Sequence, residues 1–175
     1  EYIFSTWGMS HFEKDEIKEY LPKLKAVFYA AGSVQNFARE FLESGIEVHS
    51  AWAANAVPVA EYTVAQIILA NKGFFATSRF QSTGEVKKAS VLKECYPGSF
   101  GEYVGIIGAG MIGSLVIDML KNYKLKVKVF DPFLSDEKAG NLGVKKCSLE
   151  EIFSTCFVVS NHLANNRETK GMLKK

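Results

Sequence analysis

The sequence predicts an α/β protein in which parallel strands alternate with covering helices. Three observations predict it. Short apolar runs alternate with helix-period segments from the first residues onward. A stretch of small residues at 50–58 then leads into a long apolar helix that separates two such layers, and the second layer opens on a strand, a glycine-rich turn and an apolar helix.

Taken in order, the apolar run Tyr2–Ser5 reads as a buried strand, followed by a helical pattern near Lys14–Tyr20 and a strand at Ala26–Tyr29. The pattern Val34–Glu43 reads as a second helix, closed by Ser44 and by Gly45 as its left-handed cap, before a strand at Ile46–His49. From about Val59 an apolar helix runs into the Phe74-Phe75 region. Gln81–Gly101, with Gly, Pro, Ser and Lys and weak periodicity, reads as a connector or arm and not as a sheet element. The second layer then gives a strand at Val104–Ile107, a helix at Met111–Asn122, a strand at Lys126–Asp131, a short strand near Val144, a helix near Leu149–Phe153 and a strand at Phe157–Asn161.

Composition narrows the function. Of 175 residues 47% are hydrophobic and 23% charged, with a formal net charge of +2, which is ordinary for a globular domain and lacks the basic stripe of a nucleic-acid binder. No apolar run stands out as a membrane span and no signal-peptide pattern opens the chain, so the expected location is the cytoplasm, without a membrane partner. Cys95, Cys147 and Cys156 lack zinc or redox spacing and read as reduced thiols, and no metal site is expected.

The run from Val104 through Gly108, Gly110 and Gly113 carries the chemistry. A strand, Gly-x-Gly-x-x-Gly, a helix and a second strand ending in an acid form the arrangement in which backbone amides and a helix N-terminus accept a pyrophosphate. Gly108 permits the tight turn, Gly110 lets the backbone, with Met111 and Ile112, approach the phosphates, and Gly113 lets the helix sit on the sheet. Asp131 stands 18 residues after Gly113, near the spacing at which a carboxylate accepts from a ribose hydroxyl. That acid favours NAD over NADP, since Pro132 and Phe133 supply no cation for a 2′-phosphate. A glycine turn made for packing alone, and the flavin and S-adenosylmethionine versions of the crevice, share the spacing.

With both layers laid out, the chain resembles the D-isomer-specific 2-hydroxyacid dehydrogenases. Four segments carry the resemblance: Ala30 to Val34, Asn55 to Thr63, the glycine turn through Asp131 and Pro132, and Val159 to Leu163 followed by Glu168 to Gly171. It implies a partial flavodoxin-like substrate domain over residues 1–78 ending in a domain-crossing helix. A connector and dimerisation arm would follow at 79–101, then the first half of a Rossmann doubly wound NAD-binding domain at 102–175.

The resemblance further implies that amides around Gly32 and Ser33 meet the substrate carboxylate, with Ser33 also near the nicotinamide. Turn shaping by Gly32 and helix capping by Ser33 would use the same donors. Asn55, Val59 and Thr63 would approach the nicotinamide, with capping and interdomain packing as the plainer roles. His162 and Leu163 would neighbour the ribose and pyrophosphate, so His162 is not taken as a base. Thr169 would touch the cofactor side or cap a turn. Val34-Gln35-Asn36 and Ala164 depart from the family's usual residues.

In such proteins hydride passes between nicotinamide and a small 2-hydroxy or 2-oxo acid, served by an arginine, a histidine and a carboxylate. None of these is matched within 1–175, so no catalytic residue is assigned, and the chain, opening on a strand without Met, reads as a truncated piece. A homodimer through Phe74–Tyr103 is implied, with Phe74, Phe75, Phe80 and Tyr96 reading as exposed. An NAD-responsive, co-repressor-like binding protein on the same scaffold is the alternative.

Overall fold

A computed structural model describes residues 1–173. By contact the chain divides into two compact units, Glu1–Pro58 and Val59–Lys175. The division falls inside the long helix, whose later residues Ala60, Val64 and Ile67 belong to the core of the second unit.

The first unit contains β1 (Tyr2–Ser5), α1 (Lys14–Tyr20), β2 (Ala26–Tyr29), α2 (Ala38–Glu43) and β3 (Glu47–Ser50). Its three strands are parallel and lie in the order β1-β2-β3, the order of the last three strands of a flavodoxin-like sheet. Val27, Tyr29, Ile17 and Phe41 form the centre of its core. Gly45 ends α2 as expected, at φ +77°, with its N–H on the Leu42 carbonyl and that of Ile46 on Phe41.

Three expectations change here. The second helix begins at Ala38 and not at Val34: Phe37 leaves helical geometry at φ −142° and turns its ring onto Tyr29 and Phe41. The opening strand is not buried on both faces. Phe4 is 79% exposed and lies in a row with Phe28 and His49, ring centroids 5.2 and 5.0 Å apart, on the face opposite the core. The long helix α3 (Trp52–Asn71) starts seven residues earlier than expected, because Ala-rich 51–56 propagates a helix with Pro58 inside it. At 20 residues α3 is long and apolar enough to cross a membrane by length and composition, which no run was expected to be; its Ala56, Ala60, Val64 and Ile67 are buried in the protein.

In the second unit α3 is followed by α4 (Phe74–Ser82) and α5 (Val86–Lys93), so the connector holds a helix where periodicity was weak, and no strand. Then come β4 (Tyr103–Ile107), α6 (Met111–Leu120), β5 (Lys126–Phe130), α7 (Asp136–Leu142), β6 (Lys145–Lys146), α8 (Leu149–Thr155) and β7 (Val158–Asn161). Helix α7 is an addition. Both its signals stand in the sequence, Ser135 accepting from the Lys138 N–H at 3.1 Å and Gly143 at φ +69° behind it.

The second sheet is parallel throughout, ordered β6-β5-β4-β7. The chain adds strands on one side of β4 and then crosses to the other, which makes the β4/β7 boundary the switch point of a doubly wound sheet. Val116, Ile117 and Leu120 of α6 pack with Ile106, Val129 and the α3 residues Val64 and Ile67 in one core. On the opposite face Ile152 of α8 lies so close to Gly105 that a Cβ there would be 2.5 Å from its Cγ2.

Glu151 ties α8 to the sheet. Its Oε1 accepts from Lys128 and from Lys145, each at 2.9 Å, and these hydrogen bonds, with Lys145 the larger cause, hold its pKa down to about 2. A carboxyl with a lowered folded-state pKa adds stability above its unfolded value and loses it as pH falls. Urea midpoints should therefore decline from about pH 4.5 toward about 2 more steeply in the parent than in Glu151→Gln. Parallel curves for the two would exclude this link.

Candidate functional site

The site is built at the carboxyl end of β4. Gly108 leaves the strand at φ +89°, with its N–H on the Phe130 carbonyl at 2.8 Å. A Cβ on Gly108 would lie 2.9 to 3.0 Å from backbone atoms of His162 and Leu163, so the turn and the end of β7 meet backbone to backbone. Gly113 is tighter: a Cβ would stand 2.0 Å from the Gly108 carbonyl oxygen. These two glycines seat α6 directly over the switch point.

Gly110 is different. It precedes α6 in extended backbone, φ −68° and ψ −154°, and an added Cβ would meet nothing within 4 Å. Packing does not require a glycine there, whereas close approach of a ligand does. The first bond of the helix runs from the Ser114 N–H to the Gly110 carbonyl at 2.9 Å, which leaves the N–H groups of Met111, Ile112 and Gly113 without intrahelical acceptors. Three such donors at the positive end of a ten-residue helix suit a phosphate.

Asp131 joins the same loop. Its Oδ2 accepts from the Ala109 N–H at 2.7 Å and its Oδ1 from the Phe133 N–H at 2.8 Å. Each carboxylate oxygen has a second lone pair, so the acid is oriented by the backbone with acceptor capacity left. Pro132, exposed, lies inside the turn that the Asp131–Phe133 bond closes. The structure also brings a cation that the segment after Asp131 did not reveal: Lys138 Nζ lies 3.5 Å from the Ala109 carbonyl oxygen. It reaches the loop from the unanticipated α7, whose only signals in the sequence were its two ends, Ser135 and Gly143.

His162 donates its backbone N–H to Ile107 at 2.7 Å, and its Nε2 is 3.0 Å from Ser160 Oγ. Burial pushes its pKa below the ordinary imidazole value, so the ring is neutral at pH 7 and its place is set by the strand end. Leu163 gives its N–H to Asn161 Oδ1 at 3.1 Å. The Thr169 hydroxyl donates to the Ala164 carbonyl and accepts from the Asn166 N–H at 3.2 Å, holding the turn it belongs to. Thr63 donates to the Val59 carbonyl at 2.8 Å along α3.

In the first unit, Gly32 and Ser33 lie in a loop after β2 that leads into a turn and not into a helix N-terminus. Ser33 does not cap α2; its Oγ is only within 3.5 Å of the Gln35 N–H. A Cβ on Gly32 would come 3.1 Å from Asn55 Nδ2, and the Ser50 hydroxyl donates to the carbonyls of Ala31 and Gly32. Asn55 is likewise not a cap: it lies inside α3, with its N–H on Ala51, and covers the Gly32 loop.

The geometry agrees with what the chain is similar to. The sequence model for the NAD-binding domain of D-isomer-specific 2-hydroxyacid dehydrogenases matches residues 64–175, more than half of the chain. The chain belongs to this family. A D-3-phosphoglycerate dehydrogenase of Bacillus subtilis is 30% identical over 164 residues, covering 92% of this chain and 30% of that protein. A formate dehydrogenase of Chaetomium thermophilum is 31% identical over 134 residues, covering 75% of this chain and 36% of that protein. Among solved structures, the D-mandelate dehydrogenase of Rhodotorula graminis has the same fold at TM-score 0.83 and 18% identity, over 97% of this chain and 53% of that one. The formate dehydrogenase of Staphylococcus aureus, solved in complex with NAD, follows at TM-score 0.75 and 23% identity, over 98% and 51%. The chain thus spans about a third of the length of these curated relatives.

The residues matched by the family model fall within the second unit, where Gly110 and Gly113 have opposite expected outcomes on substitution. Gly110→Ala should change the unfolding free energy, read from urea midpoints, by no more than about 1 kcal/mol while weakening NADH binding by more than about tenfold. Gly113→Ala should unfold the second unit, read by loss of cooperative melting. Undiminished NADH binding by Gly110→Ala would remove the phosphate from this turn.

Proposed function

We propose that the chain holds NAD with its pyrophosphate on the α6 turn and its adenosine ribose on Asp131, as part of a dehydrogenase moving hydride to or from a small D-2-hydroxy or 2-oxo acid. One observation carries the reading: the open space at Gly110, in front of three free N–H donors at the N-terminus of α6. The nicotinamide supplies the hydride acceptor; the chain's residues bind and orient it.

Within this reading Asp131 accepts from the ribose hydroxyls and repels a 2′-phosphate, favouring NAD over NADP. The substrate carboxylate is assigned to the N–H groups of Gly32 and Ser33, which make no hydrogen bond among the described residues, while Ser50 occupies the Ala31 and Gly32 carbonyls. Ser33 and Thr63 are placed toward the nicotinamide, and His162, Leu163 and Thr169 toward the rest of the cofactor. His162 is withheld as a proton carrier because the resemblance makes its strand end a neighbour of the ribose and pyrophosphate, and its Nε2 is engaged with Ser160 Oγ. No residue of the chain is given the proton-transfer role, so this chain alone is expected to bind cofactor without turnover.

Association as a homodimer in the cytoplasm completes the proposal. Phe74 and Phe75 on α4 are 45% and 52% exposed and offer an apolar surface for a second copy. Tyr96 does not belong to that surface; its ring lies on Gly73 and against Phe157, at 5.6 Å.

NADH fluorescence titration tests the cofactor assignment. Asp131→Ala should weaken NADH by about tenfold, the value of a hydrogen bond to a charged group. Asp131→Arg should reverse the order of NADH and NADPH. Unchanged NADH affinity in both variants would refute the ribose contact, whatever the behaviour of Gly110→Ala.

A further inference from the structure

Lys138 stands where a helix disfavours a cation. It is third in α7, inside the first turn, behind Asp136 and Glu137, which follow the acidic pattern that a helix N-terminus prefers. A neighbouring carboxylate would relieve such a lysine, but Asp136 is bonded to Lys146 at 2.9 Å and Lys138 forms no ion pair among the described residues. Its Nζ instead reaches to 3.5 Å from the Ala109 carbonyl oxygen, across 29 positions of sequence. That carbonyl does not need the lysine, because Ser114 Oγ donates to it at 2.8 Å. The lysine contact is long for a charged donor, so it holds little and is readily exchanged for an anion.

The position of the ammonium gives it a use. Asp131 Oδ2 accepts from the Ala109 N–H at 2.7 Å, so a carboxylate and an ammonium approach the two polar groups of one residue in the glycine loop. Opposite charges drawn to one residue would ordinarily pair. Here Asp131 is turned to the N–H groups of Ala109 and Phe133, and the ammonium is left without a carboxylate. The next residue, Gly110, is the one whose added Cβ would meet nothing within 4 Å, so the loop beside both groups is open. A lysine on its flexible stem is a mobile point charge, suited to a phosphate whose place is fixed by other contacts.

We propose that Lys138 is a specificity-determining residue of the cofactor site, offering its ammonium to a 2′-phosphate on the ribose that Asp131 holds. The inference rests on the cofactor reading given above. A phosphomonoester carries a charge of about −1.5 to −2 near neutrality and three acceptor oxygens. Asp131 repels it and Lys138 attracts it, so the chain takes NADPH as well as NADH, with a narrower preference for NADH than the acid alone would set.

Fluorescence titrations of the chain with NADH and with NADPH test this. The parent should bind NADPH within about a hundredfold of NADH, since the two charges oppose each other with effects of about tenfold each. Lys138→Gln, which keeps helix propensity, should weaken NADPH by about tenfold and NADH by less than about twofold. NADPH affinity should also fall more steeply with added salt in the parent than in Lys138→Gln. Lys121→Gln, at the far end of α6, should change neither coenzyme. Equal loss of NADH and NADPH in Lys138→Gln would move the lysine to the part the two coenzymes share and overturn the proposal, as would unchanged NADPH affinity. If the parent binds NADH and Gly110→Ala weakens it, either of those results sinks this inference alone; a parent that binds neither coenzyme sinks the cofactor reading as well.

Discussion

The second unit depends on one contact, the seating of α6 on the turn that leaves β4. With 2.0 Å between the place of a Gly113 Cβ and the Gly108 carbonyl oxygen, no side chain fits between helix and turn, so the backbone itself is the packing surface. Two consequences follow from that closeness. The apolar side of α6, Val116, Ile117 and Leu120, is brought down onto Ile106 and Val129, which builds the core. The free N–H groups at the start of the helix are aimed past the end of β4, at the boundary with β7 where strand order reverses. Stability and ligand geometry thus have the same origin, and Gly110, which packing does not need, is where they part.

Asp131 extends that joint sideways. By accepting from Ala109 and Phe133 it fixes the end of β5 against the glycine loop before any ligand arrives. In the proposed reading a carboxylate oriented this way would meet a ribose without reorganising, which is the advantage of preorganised groups in binding. Lys138 approaches the same loop from α7, so the rim of the site is shaped by a helix as well as by strand ends.

The glycine spacing, the acid at the end of β5 and the alternation of strands and helices were legible in the sequence because each is a local rule with a short period. What was missed is non-local or depends on competition between rules. Helix α3 began before Pro58 although that proline, seventh in the helix, leaves the Ala54 carbonyl without its usual donor; the alanines on its N-terminal side carry the helix through it. Val34–Phe37 has a helical pattern, but burial of the Phe37 ring against Tyr29 and Phe41 outweighs it. The row Phe4, Phe28 and His49 shows the same limit: alternation along a strand separates two faces without saying which one the core takes. Lys138 was invisible at the site because its helix was, although Ser135 and Gly143 marked both ends of it.

The two ends of the second sheet handle negative charge by different physics. At the carboxyl end the donors are backbone N–H groups, fixed in direction and neutral, so orienting them requires no buried ion and Asp131 can stand beside them. At the amino end the positive charge sits on side chains, and a single carboxylate, Glu151, must serve Lys128 and Lys145 together. Backbone donors discriminate by geometry, while a lysine cluster attracts by charge and is screened by salt. That difference explains why the glycine turn is readable as a pattern of spacing, whereas the part played by Lys128 is readable only once the sheet shows that it is buried and bonded to Glu151.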